Sequence, residues 1–86
     1  MSHSNQQLRQ YETMSNYPAY IERMVDEHTQ LNVKINSLTE FLKTEKYKQL
    51  CLTQRHMLED QLTAMKKYSE ILEARIIFEK RLHDAT

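Results

Sequence analysis

Glycine and tryptophan are missing from this chain of 86 residues, and proline occurs once. Without glycine no residue enters left-handed backbone cheaply. Glycine-rich phosphate loops, dinucleotide fingerprints and tight β-hairpins are therefore excluded together. A bound phosphate must be held by side chains or helix ends. The single cysteine, Cys51, allows no internal disulfide; with no apolar leader at the N-terminus, a reducing cytoplasm is the expected compartment. No apolar run approaches the length of a membrane span, so no membrane partner is expected. Twelve basic and twelve acidic residues cancel, which argues against a nucleic-acid partner, since a polyanion asks for a basic face. A small anion asks only for a local basic cluster.

What is present is helical periodicity. From Ile21, the positions Ile21, His28, Ile35 and Leu42 alternate with Met24, Leu31 and Leu38 at three-four spacing, and Val25, Val33 and Phe41 widen the stripe. The pattern predicts a helix over about residues 18–43, opened by Asn16 as a cap with Pro18 in the first turn. "KTEKYKQLCLTQ" interrupts it and reads as a corner over 44–53, with a short helix or turn and with Thr44 and Thr53 as caps. A second long helix is expected over about 54–83. One stripe on it runs through Leu58, Leu62, Met65, Leu72, Ile76 and Glu79, with Tyr68 beside it. A second stripe, Met57, Ala64, Ile71, Phe78 and Leu82, lies off the first. One partner helix cannot cover both. The expected fold is all-α: an antiparallel helical hairpin over 18–86, assembling as a homo-oligomer through the spare stripe. A chain this short gains much of its stability that way. Residues 1–17 are polar, with Leu8, Tyr11, Met14 and Tyr17 at three-residue spacing, and read as either a short docking helix or a segment without structure of its own.

Few residues suggest chemistry. His28 occupies a seam position, where a polar group sets register or oligomer state, or else faces a ligand. The four histidines, His3, His28, His56 and His83, never pair at i,i+4, and no metal is expected. Cys51 lies between Leu50 and Leu52 and reads as a buried thiol rather than a nucleophile. Glu59 and Asp60 are adjacent and diverge on a helix, so they form no acid–base pair. Nothing in the spacing supports an enzyme, and no cofactor is expected. Lys43, Lys46 and Lys48 flank Tyr47 at the corner, either as a solvated helix end or as a grip on a phosphate. Arg75 falls at the edge of the seam beside Leu72, Ile76 and Phe78, where burial between subunits would oblige it to find an anion.

The succession "YIERMVDEHTQLNVKINSLTEFL", "EKYKQL" and "LEDQLTAMKKYSEILEARI" resembles small helical-hairpin proteins of tailed phages, and among them the anti-CBASS cyclic-oligonucleotide sponges. The resemblance covers about residues 18–77. It implies a protein without enzymatic activity, acting in the host cytoplasm, that sequesters cyclic di- and trinucleotide second messengers such as 3′,3′-cGAMP. It further implies a hexamer with pockets between subunits, in which an N-terminal tyrosine stacks on a base and basic side chains of the first long helix meet the phosphates. The matching residues here are Tyr11 and Arg23, with Arg75 for a second kind of pocket. Where other members carry Tyr-His-Pro, this chain has "NYPAY", so Tyr17 or Tyr20 is an alternative stacking residue. His28 and Lys43 complete the set of candidate ligand contacts. A protein-interaction module that grips a partner helix with the spare stripe is the competing reading.

Overall fold

The computed structural model describes residues 17–86; the expectation of a docking helix in the N-terminal segment falls almost wholly outside them. All regular structure among the described residues is helical: α1, Ala19–Phe41; α2, Glu45–Lys48; and α3, Leu52–Asp84. No described helix is long and apolar enough to cross a membrane.

The way these helices start and stop follows from the lack of glycine. No described residue has a positive φ, so the left-handed glycine cap that ends many helices is not used. Breaks are made instead by extended residues at N-caps. Pro18 stands at the N-cap of α1 with φ −66° and ψ 163°, and its carbonyl accepts the N–H groups of Ile21 at 3.0 Å and Glu22 at 3.2 Å. Thr44 is extended as well. Its Oγ1 donates to the carbonyl of Phe41 at 2.6 Å and accepts the N–H of Tyr47 at 3.2 Å. One side chain thus closes α1 and opens α2.

The start of α3 departs from expectation. Thr53 lies inside its first turn, and Cys51 takes the cap. The Cys51 sulfur accepts the backbone N–H of Gln54, while the Gln54 side chain accepts the N–H of Cys51 at 3.1 Å, a capping box with sulfur in place of a hydroxyl. Cys51 is consequently exposed, not buried as its leucine neighbours suggested.

Contacts ascend through the start of the described chain and α1 as they descend along α3. Tyr17 meets Asp84, Tyr20 meets Glu79, and Asn32 meets Ser69. Ile21, Met24 and Ile35 on α1 and Leu62, Leu72 and Ile76 on α3 are the buried apolar residues. Met24, Leu72 and Ile76 form one cluster, with Val25 packed against it. The described residues extend 51 Å and are only 14 Å deep in the thinnest dimension, about one helix. Such a layer leaves faces bare: Met57, Ile71, Phe78 and Leu82 of the second stripe are all exposed.

Burial is uneven enough to be tested. Leu72 is 1% exposed and Leu52, at the start of the same helix, 58%. Leu72→Ala is expected to cost about 2–5 kcal/mol, a fall in Tm of at least about 10 °C. Leu52→Ala should cost under about 1 kcal/mol. Thermal melts followed by circular dichroism compare the two; equal losses would contradict this core.

Candidate functional site

All four described tyrosines donate their hydroxyl to a carboxylate beyond their own helical segment. Tyr17 donates to Asp84 at 3.0 Å and Tyr20 to Glu79 at 2.6 Å. Tyr68 donates to Glu27 and Tyr47 to Glu59. Each hydroxyl is held above the usual tyrosine value of 10.0, first by the hydrogen bond to the carboxylate, then by desolvation and the carboxylate charge. The nearby charges of Arg55 and Arg75 partly oppose this at Tyr47 and Tyr68 respectively.

Tyr17 and Tyr20 come together where the start of α1 meets the end of α3. The Tyr17 ring lies 5.5 Å from that of His83, tilted by 57°, and Lys80 Nζ sits 5.0 Å from its centroid. Arg23 follows one turn after Tyr20 and is exposed. Two flat rings and several cations therefore share one end of the molecule. Lys80 was not singled out from sequence, and His83 was weighed there only as a metal ligand; their signal was position, in the closing turns of a helix whose partner begins with tyrosines.

His28 is half-buried in the seam. Ser69 donates to Asn32 Oδ1 at 2.9 Å, which leaves its oxygen to accept from His28 Nε2 at 3.3 Å. This assignment puts the proton on Nε2 in the neutral ring. Asn32 Nδ2 lies 3.5 Å from both ring nitrogens, at the limit of a hydrogen bond. The result is a polar layer in the seam between Met24 and Ile35. Asn32 and Ser69 went unnoticed in the sequence, although Ser69 continues the stripe of Leu62, Met65, Leu72 and Ile76.

Lys43 is at the far end of α1, roughly 35 Å from Tyr20 by helix rise, in an exposed ion pair with Glu40 at 3.2 Å. Lys48 pairs likewise with Glu45 at 3.2 Å; surface pairs of this kind contribute little. Arg75 is exposed. Tyr11 lies outside the described residues. The described candidate residues are thus not gathered into one cleft. A cavity of about 250 Å³ at the corner is lined by Leu50, Gln54, Met57 and Leu58, with no cation to hold a phosphate. Among the described residues no group of side chains is arranged to hold a metal ion.

A family model described as Sequestin matches residues 18–78. The chain is also 40% identical over 58 residues to the "Uncharacterized 7.5 kDa protein in denB-rIIB intergenic region" of Enterobacteria phage T4, an alignment covering 67% of this chain and 91% of that one. No solved structure matches. Tyr20, Arg23, His28, Lys43 and Arg75 fall within residues 18–78, whereas Tyr17, Lys80 and His83 fall outside.

The tyrosine–carboxylate bonds carry a pH signature. Folding favours the neutral tyrosine, because the folded value is raised above 10.0. The contribution is therefore fully present below that value and is lost as pH rises through the folded one. Denaturant midpoints should be flat up to about pH 9.5 and fall above about pH 10, with a shallower fall in Tyr20→Phe and Tyr68→Phe. An unchanged alkaline slope in both variants would contradict the contribution of these bonds.

Proposed function

Starting from its membership of the Sequestin family, the phage anti-CBASS sponges for cyclic nucleotides, we propose that this chain binds and sequesters cyclic di- and trinucleotide second messengers such as 3′,3′-cGAMP. It acts in the host cytoplasm, does not hydrolyse its ligands, and so keeps CBASS effectors switched off. The observation that carries this reading is the match over residues 18–78, which takes in α1, α2 and most of α3.

The physical character of the molecule is compatible with that role. A sponge needs affinity and stoichiometry and no chemistry. Two or three phosphates need a few local cations, which suits a net charge of +0. The ligand sits between subunits of a homo-oligomer, a hexamer of helical hairpins. That arrangement brings together residues that one chain holds far apart, and it covers the bare stripe of α3. Tyr11 or Tyr20 stacks on a base, and Arg23 meets a phosphate. Tyr20 is preferred to Tyr17: it is 44% exposed and lies inside the matched span, whereas the Tyr17 ring already has His83 and Lys80 beside it. Arg75 serves a second pocket, and Lys43 is a phosphate contact contributed from the corner. His28, held by Ser69 within the protomer seam, supports subunit packing through the register of the two helices and takes at most a secondary place beside the base. The uncovered stripe also supports a second reading, a module that grips a helix of a host protein.

Isothermal titration with 3′,3′-cGAMP and with cyclic triadenylate tests the proposal. Saturable binding is expected, with unchanged ligand recovered after denaturation. At a ligand concentration a hundredfold above Kd, the native state gains about 2.7 kcal/mol and Tm rises accordingly. Arg75→Ala should weaken trinucleotide binding more than dinucleotide binding. Silence with both ligands would sink the sponge reading, and equal losses in Arg75→Ala would remove the division into two pockets.

A further inference from the structure

The bare face of α3 is more regular than its apolar residues alone suggest. Between the members of the second stripe fall Gln61, Tyr68 and Arg75, so that Met57, Gln61, Ala64 and Tyr68 begin an unbroken four-three alternation that Ile71, Arg75, Phe78 and Leu82 complete. All eight positions are exposed. The stripe lies one residue, about 100° of rotation, from the seam that faces α1. It is a second coiled-coil seam on one helix, left open among the described residues except where Tyr68 reaches Glu27 of α1 and Met57 borders the corner cavity.

We infer that this seam pairs with the same seam of a second copy, the two α3 helices running antiparallel about a two-fold axis between Tyr68 and Ile71. The inference rests on the homo-oligomer reading above and adds its interface and register. Self-complementarity carries it. In this register Met57 faces Leu82 of the second copy, Gln61 faces Phe78, Ala64 faces Arg75 and Tyr68 faces Ile71, with each pair repeated by symmetry. The longest side chain of the stripe meets the smallest, and the alanine leaves space for the guanidinium. The flank agrees in charge. Asp60 of one helix falls beside Arg81 of the other, and Lys67 beside the neutral Ala74. Asp60 and Arg81 are exposed, and neither makes an ion pair with another described residue. A parallel pairing has none of this: it would stack Arg75 on its own copy within the seam, a like-charge contact that works against that arrangement.

Sedimentation velocity on the full chain without nucleotide, across a dilution series, provides the test. Asp60→Arg and Arg81→Asp each turn two symmetry-related attractions into repulsions and should raise the dissociation constant of the pair about tenfold. The double exchange, D60R with R81D, should restore it to within about twofold. Singles without effect, or a double no better than the worse single, would overturn the register. A covalent readout is independent of these magnitudes. In a Cys51→Ser background, oxidation should cross-link the chain carrying both Ala64→Cys and Arg75→Cys and leave each single variant uncross-linked. Cross-linking by Arg75→Cys alone would indicate the parallel arrangement and overturn the proposal. Association lost only in the charge variants, with no nucleotide bound by any variant, would keep this interface and sink the sponge. Nucleotide binding by a chain whose association ignores Asp60 and Arg81 would do the reverse.

Discussion

The seam between α1 and α3 is the contact from which the rest of the structure takes its position, and it is narrow. Two helices that meet along one stripe bury Ile21, Met24 and Ile35 against Leu62, Leu72 and Ile76, then interrupt that apolar line with His28, Asn32 and Ser69. The interruption costs apolar burial, and it gives register in return. A one-turn slide of one helix would leave the His28 ring and the Asn32 amide facing aliphatic groups, where unpaired polar atoms are expensive. Carboxylate-bonded tyrosines along the edges, Tyr20 to Glu79 and Tyr68 to Glu27, repeat the same instruction. Each is weak at an exposed site; together they specify one alignment for helices that otherwise offer interchangeable leucines.

That alignment decides where the cations and rings lie. Because the layer is a single helix deep, side chains leave it on both faces and at both ends, and no described cleft encloses them. Lys43 is at one end with Glu40, and Tyr17, Tyr20 and Arg23 are at the other. A molecule with a few phosphates and two or three bases is about the size of a single turn-to-turn patch, far shorter than α1. Within one protomer Tyr17, Tyr20 and Arg23 are neighbours, and Lys43 stands apart from them. Zero net charge fits the same logic, since it lets copies approach without long-range repulsion while each local cation remains available.

Much of this was legible in the sequence, for reasons that differ by residue. The three-four spacing of Ile21, Met24 and Ile35 and of Leu62, Leu72 and Ile76 survives into the fold because burial along a helix obeys its period and nothing else. The exposed stripe of Met57, Ile71 and Phe78 was legible for the same reason. Caps were less so. Threonine outranks cysteine as a cap by preference, yet Cys51 precedes a glutamine three residues on and takes the position, leaving Thr53 inside the helix. Its leucine neighbours suggested a buried thiol, but a cap sits at the surface by construction. The polar layer needed both seams to be laid side by side: His28 alone is an anomaly, and His28 opposite Ser69 is a pair. The tyrosine–carboxylate bonds depend on register, which no single helix contains. Of the candidate ligand residues, Tyr17 and Tyr20 meet at one end, Lys43 stands apart, and Tyr11 falls outside the described residues.

The span of the family match separates two kinds of residue at the crowded end of the molecule. Tyr20 and Arg23 are inside residues 18–78, and Tyr17, Glu79, Lys80, His83 and Asp84 are outside. Tyr20 nevertheless donates its hydroxyl to Glu79, so a residue within the shared span is oriented by one beyond it. An acidic partner at that hydroxyl repels phosphate while leaving the ring face available, which favours a stacking role for Tyr20 over a phosphate contact. In the sponge reading proposed above, Arg23, exposed one turn along α1 and inside the shared span, is the cation assigned to the phosphate. The division of labour proposed between ring and guanidinium thus rests on where the carboxylates of α3 end, and on the seam that brings them there.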